Sequence, residues 1–306
     1  MNNFYTVIPG MAVAMIALCS CSGTSNSNEK ATYSGTNREN PTEATYTEPT
    51  PAPMLETDSV HWSDSISVGK CKAKANVSGQ YPVAGTTRLV DSIRGWLGTQ
   101  LSCNMENSGA TLFRPTPSEL SSGQKLAERC GKAMLQSARS DFDEFEDNDI
   151  SVSYEYSYSF GPSYQSDSIL TYYFSGYVYL GGAHGGALGG GQSFATSSGL
   201  SLTSENMFKA EKRPELINLI RKALWNQYFK EGCEPGSTLK DALLINPDTL
   251  SLPQMPPLFS KDGLVFTYQQ YEIACYAAGM PSCVLPYTTV EPLLKPEVAR
   301  LLKGQE

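Results

Sequence analysis

Between Ile150 and Phe160 apolar and polar positions alternate without a break. Ile150, Val152, Tyr154, Tyr156, Tyr158 and Phe160 are separated by Ser151, Ser153, Glu155, Ser157 and Ser159. Period-two alternation predicts a strand with one buried and one wet face. Gly161–Pro162–Ser163 is read as its end. Ile169–Leu180 is apolar at both parities and reads as a central strand. A further strand around Gln192–Thr196 makes a meander the natural pairing.

Helical spacing dominates on either side of this block. A short strand at Val68–Val77 precedes a helix with Leu89, Ile93, Trp96, Leu97 and Leu101 on one face. Beyond Pro115 and Pro117, a second helix carries Leu126, Cys130, Met134 and Phe142 together. A third, with Pro214 in its first turn, presents Leu216, Ile217, Ile220, Leu224 and Tyr228, and stops at Gly232. Asp262–Gly263 signals a hairpin between Leu258–Phe259 and a long strand Leu264–Cys275. A last strand, Ser282–Tyr287, gives way to a helix near Pro292. Segregated helices and strands of this kind imply an α+β fold, with antiparallel-rich sheets and helices packed against them.

The N-terminus is organised differently. An apolar stretch, Val7 to Leu18, is too short for a spanning helix, which needs about 20 apolar residues, and reads as a secretory segment. Leu18–Cys19–Ser20–Cys21 has the form of a lipobox, with Cys21 as the lipidation position. Residues 1–21 are thus expected to be a lipoprotein signal peptide. Residues 22–60, rich in Ser, Thr, Asn, Glu and Pro, are expected to be a disordered tether. His61 and Trp62, at its end, are assigned to no site. The chain is then a lipid-anchored protein of the cell envelope, facing the periplasm or the cell surface.

Charge and cysteine content narrow this further. The 306 residues carry a net charge of −8, which disfavours nucleic acid and favours a basic partner. Setting aside Cys19 and Cys21 leaves six cysteines, an even set that in an exported chain favours disulfides. Cys275 and Cys283 flank a turn and are expected to cross-link adjacent strands. The pairing of Cys71, Cys103, Cys130 and Cys233 stays open, and Cys130 is equally readable as a buried thiol. The acidic run Asp141–Asp149 lacks the spacing and central glycine of a calcium loop and reads as a solvated helix end.

Candidate chemistry is sparse. The Ile169–Leu180 strand runs into Gly181–Gly182–Ala183–His184–Gly185–Gly186, which is either a ligand site or a tight bend. Gly181, Gly182, His184 and Gly185 are the candidate binding residues. His184 is first a structural residue fixing the corner, then a binding residue. A catalytic role, as a cell-envelope hydrolase centred on His184, is the alternative. It needs a nucleophile, and Gly191–Gln192–Ser193–Phe194–Ala195 only half-matches a nucleophile elbow. No catalytic residue, metal ligand set or cofactor motif is identified. Tyr154, Tyr156, Tyr158, Tyr172, Tyr173, Tyr177 and Tyr179 either pack across strands or form a sugar-stacking platform.

One resemblance runs through most of the folded part. The strand into Gly181–Gly182–Ala183–His184–Gly185, Phe194 with Gly199–Leu200–Ser201–Leu202, and Met207–Phe208 carry its first half. Gly263–Leu264–Val265–Phe266, Tyr271–Glu272–Ile273 and Val284–Leu285–Pro286–Tyr287 carry its second. In order and spacing the chain resembles the extracytoplasmic regions of the lysozyme-sensing anti-sigma factor RsiV and of PdaC-type peptidoglycan deacetylases, where the region precedes the catalytic domain. That resemblance implies two adjoining small modules, a PdaC-like one over 61–198 and an RsiV-like one over 199–306. It implies a module that binds and does not catalyse, with lysozyme-like proteins or peptidoglycan as partners. Cys275 and Cys283 depart from the family pattern.

Overall fold

The computed structural model describes residues 54–103, 111–146 and 151–303. The signal peptide, Cys21 and most of the expected tether lie outside them. Strand β1 (Glu56–Val68) turns at Gly69 into β2 (Cys71–Ala84), so the single short strand expected at Val68–Val77 is a long hairpin. It begins at Glu56, inside the stretch assigned to the tether. Helices α1 (Thr87–Ser102), α2 (Pro117–Leu120) and α3 (Gly123–Glu146) follow. Then come β3 (Ser153–Gln165), β4 (Ile169–Leu180), β5 (Gly186–Ala195) and β6 (Ser201–Leu202), giving one sheet in the order β1-β2-β3-β4-β5-β6.

Four of its pairings are antiparallel, and β2 runs parallel to β3. Parallel neighbours need a crossover, and α1 to α3 supply it. Their apolar stripes bury Leu89, Ile93 and Leu97 from α1, and Leu126, Cys130, Met134 and Phe142 from α3. These pack on Ala73, Ala75 and Val77 of β2 and on Tyr154, Tyr156, Tyr158 and Phe160 of β3 to form a continuous core. Strand β3 does not stop at Gly161–Pro162–Ser163. An irregularity between Pro162 and Tyr164 absorbs the misfit, and pairing with β4 resumes at Tyr164↔Thr171.

The second half builds its own core. Short helix α4 (Ser204–Met207) leads to α5 (Arg213–Leu224), which continues through a π-turn at Trp225–Phe229 and a last turn ending at Gly232. After α6 (Leu239–Ala242), strands β7 (Leu258–Ser260), β8 (Gly263–Thr267) and β9 (Ser282–Leu285) form a three-stranded antiparallel sheet. Helices α7 (Tyr287–Val290) and α8 (Pro296–Leu302) close the chain. Leu216, Ile220 and Leu224 of α5 pack in one cluster with Phe259, Leu264 and Phe266. The fold is α+β, with two sheets and two cores.

The long strand expected from Leu264 to Cys275 ends at Thr267, and residues 268–281 form an irregular loop. This overturns the Cys275–Cys283 disulfide. Cys275 is exposed at the start of a 3-10 turn (Tyr276–Ala278). Cys283 is buried in β9 opposite Phe266, and both thiols are free. Burial pushes the Cys283 thiol up to about 12. Cys130 and Cys233 are also free, so Cys130 is the buried thiol that its helix position allowed.

Candidate functional site: an aromatic corner at the edge of the larger sheet

Register separates the tyrosines cleanly. Tyr154, Tyr156, Tyr158 and Tyr172 face the helices and are buried, so they are core. Tyr173 and Tyr177, 36% and 38% exposed, point to the opposite face, and Tyr179 is half-buried there. The helices cover only the inner face; the outer one is open along β1, β2, the first part of β3 and the Tyr173–Tyr179 part of β4, while Ile169 and Thr171 at the start of β4 are buried against the second core.

The β4–β5 connection turns at residues 181–185. Gly181 has φ +79, and a Cβ there would lie 2.0 Å from Val152 Cγ2, so no other residue suits this turn. Gly185 is buried beneath Tyr177, whose ring carbons would be 2.5 Å from a Cβ. Gly182 faces open space and makes no close approach. The tyrosine row and the glycine corner are therefore one surface, joined where Tyr177 lies on Gly185.

His184 is exposed at the tip. Its ring stacks on Tyr276 with centroids 3.7 Å apart and planes 19° from parallel. The Tyr271 hydroxyl is 3.4 Å from Nε2, and the Gly185 carbonyl is 3.2 Å from Nδ1. Tyr271 is half exposed and tilted against Tyr276, with centroids 5.9 Å apart. Three rings from two distant segments thus form a contiguous patch, with His184 and Tyr271 exposed and Tyr276 half-buried between them.

The loop that brings Tyr271 and Tyr276 here is firmly held. Among the described residues no strand lies beyond the lower half of β5, and side-chain amides take that place. Gln270 Oε1 accepts from Ala187 N at 2.7 Å. Gln269 accepts from Gly189 N at 3.1 Å and donates to Gly189 O at 2.7 Å. The Glu272 carboxylate accepts from the backbone N–H of Gln254 and of Gln269, at 2.8 and 2.7 Å. Burial nonetheless raises its pKa above the ordinary carboxylate value, outweighing these two bonds. Tyr228 donates to Ala278 O at 2.5 Å, pinning the turn that carries Tyr276.

Tyr271 itself sits at φ +63, the left-handed region, where a side chain costs about 1–2 kcal/mol. A strained, exposed aromatic residue held by a rigid loop is a mark of a functional surface. Sequence reasoning reached His184 and the glycines but not Tyr276, Gln269 or Gln270. Tyr271 stood out only as part of the family pattern.

The chemistry on offer is contact chemistry. His184 meets two tyrosines and a carbonyl oxygen. Ser193, the half-matched nucleophile, is fully buried in β5. Its Oγ bonds Thr171 Oγ1 at 2.8 Å and accepts from Phe259 N at 3.1 Å. Among the described residues no cluster of His, Cys, Asp and Glu suited to a metal is found, and no helix is long and apolar enough to cross a membrane.

Residues 205–288 match the model of DUF3298, described as a protein of unknown function. No curated protein matches the chain. Among solved structures, a DUF3298 family member from Bacteroides fragilis is similar at 21% identity and a TM-score of 0.64, covering 81% of this chain and 98% of that one. A DUF3298 family protein from Pseudomonas aeruginosa is similar at 13% identity and a TM-score of 0.56, covering 80% and 97%. Both likenesses extend well beyond residues 205–288, so the fold they share includes the larger sheet.

Proposed function

We propose that the protein is a lipid-anchored binding module of the cell envelope, and that the His184–Tyr271–Tyr276 corner engages cell-wall glycan. The observation that carries this is the exposed stack of His184 on Tyr276 beside a strained Tyr271. Flat rings presented from a fixed loop suit the apolar faces of sugar rings, and the hydroxyl and imidazole groups suit their hydroxyls. The resemblance to RsiV and PdaC-type proteins supports an envelope partner of this kind. A basic protein such as lysozyme is the second reading, favoured by the net charge of −8. Hydrolysis has less support, because among the described residues His184 meets no serine, cysteine or carboxylate.

Titration calorimetry of the full chain in detergent micelles with soluble peptidoglycan glycan fragments tests the first reading. Tyr276→Ala is expected to weaken binding about tenfold, the scale of one lost aromatic contact. Tyr271→Gly should weaken it too, without loss of stability, since glycine relieves the left-handed strain. Unchanged affinity in both variants sinks the glycan reading. Lysozyme binding that fades as salt is added would then favour the second.

Anchoring is tested separately. Cys21→Ala, with Cys19 intact, is expected to abolish labelling by a radioactive fatty acid and to release the protein from the membrane fraction. Persistent labelling would move the lipid to Cys19 or end the lipoprotein reading.

A further inference from the structure

The outer face of the larger sheet has an unusual composition that register makes explicit. Across the strands, residues align as Ser65–Lys74–Glu155–Tyr179, then Ser63–Asn76–Ser157–Tyr177, then His61–Ser78–Ser159–Ser175. Ser67, Lys72 and Ser153 form a further row. Along 59–67, 72–80, 153–159 and 173–179 this face holds two lysines and one glutamate, a net +1 on a chain whose net charge is −8. The rest of the face is hydroxyls, amides, one histidine and the exposed tyrosines.

Two further details mark this surface as unsatisfied. Neither Lys72 nor Lys74 has an ion-pair partner among the described residues. In the adjoining row, Asn76 Oδ1 is shielded from solvent and accepts no hydrogen bond. At the lysine end the sheet forms a depression of about 430 Å³, whose lining includes Lys72, Lys74, Glu155 and Tyr179 together with apolar Ile66 and Ala73. Two strand spacings, about 9.6 Å, separate the Lys74 and Tyr179 positions, and Tyr177 lies about 6.8 Å further along β4. From there Gly185 leads directly to His184.

We infer that this depression is a second subsite, which binds the carboxylate of an acidic sugar in a glycan whose neighbouring units rest on Tyr179, Tyr177 and the His184–Tyr276 stack. It deepens the glycan reading and rests on it. Charge complementarity selects the ligand. A weakly cationic face on an acidic protein attracts an anion. A local charge of only +1, with Glu155 in the same row, suits a monoanionic carboxylate better than a dianionic phosphate monoester, and the monoanionic phosphodiester is distinguished by the test. Ser65, Ser67 and Ser153 supply hydroxyls for ring hydroxyls and acetamides along the way.

The test compares four probes on the full chain in detergent micelles at low ionic strength. They are chitohexaose, which is neutral; peptide-free peptidoglycan strands, which carry carboxylates; the same strands after carboxyl amidation; and poly(glycerol phosphate). Native strands are expected to bind about fivefold more tightly than amidated ones. Lys72→Gln with Lys74→Gln should erase that difference and leave chitohexaose binding unchanged. Equal affinity for native and amidated strands, or a preference that survives the lysine variant, overturns the subsite while Tyr276-dependent binding stands. Tighter binding of poly(glycerol phosphate) overturns the choice of carboxylate. Failure of every glycan to bind overturns the subsite and the glycan reading together. Circular dichroism of the double variant confirms that it is folded.

Discussion

Replacing Thr171 by Val and Ser193 by Ala together is expected to destabilise the protein by about 4 kcal/mol, measured as a shift in the urea midpoint. The two side chains meet at 2.8 Å between the start of β4 and the end of β5, and both are fully buried. Between them they satisfy both backbone groups of Phe259 on β7. Thr171 Oγ1 donates to its carbonyl at 2.9 Å, and Ser193 Oγ accepts from its N–H at 3.1 Å. Phe259 is itself 1% exposed, so water cannot replace either bond. Each orphaned buried group costs roughly 2 kcal/mol. Because the three groups form one network, the single variants should not sum to the double. A double variant within 1 kcal/mol of wild type would show that the β7 backbone finds other partners. This network ties the smaller sheet to the larger one, so its loss is also expected to loosen the loop that carries Tyr271 and Tyr276.

Gly131→Ala is expected to cost about 1 kcal/mol net, although alanine is the better helix former. Propensity alone favours the change by roughly 0.8–1 kcal/mol. Gly131 faces β1 from the middle of α3, and a Cβ there would fall 1.8 Å from the Trp62 ring. The indole must then leave its place against the helix, and overpacking of this kind costs about 1–3 kcal/mol before any compensation. Adding Trp62→Leu should recover most of the loss, since it removes the clashing ring. A single variant as stable as wild type would mean that Trp62 moves aside freely. Trp62 was assigned to no site in the sequence, and its part is to seat α3 on the first strand.

The sequence displayed those elements in which one face is wet and the other dry. Tyr154 to Phe160 alternate because β3 has helices on one side and solvent on the other, and the α1 and α3 stripes follow from the same asymmetry. Strand β1 is hard to read because Ser59, Ser63, Ser65 and Ser67 line its outer face and Val60, Trp62, Ile66 and Val68 are the apolar residues on its inner one. Its composition is that of a linker, yet pairing with β2 holds it. The parallel partnership of β2 and β3 has no local signature at all, since it depends on where the crossover helices return the chain. Residues 268–281 misled for the opposite reason. Tyr268, Ile273 and Ala274 are buried like strand residues, but a loop anchored by Glu272 buries them. Tyrosine is not a residue that announces φ > 0, so the conformation of Tyr271 was invisible. The partners of His184 were hidden by distance along the chain, with Tyr271 87 positions away.

The parallel junction between β2 and β3 also bears on how the chain reaches this structure. The β1–β2 hairpin and the β3–β4–β5 meander are each built from contacts between near neighbours in sequence. Their union must bring together segments about 80 residues apart, as Ser151 and Lys70 are at 81 positions. The entropy of closing that loop falls due before most of the core between helices and sheet exists to offset it. Joining the two strand systems is therefore the natural slow step of folding. Until it happens, β2 and β3 each present an unpaired edge to other chains.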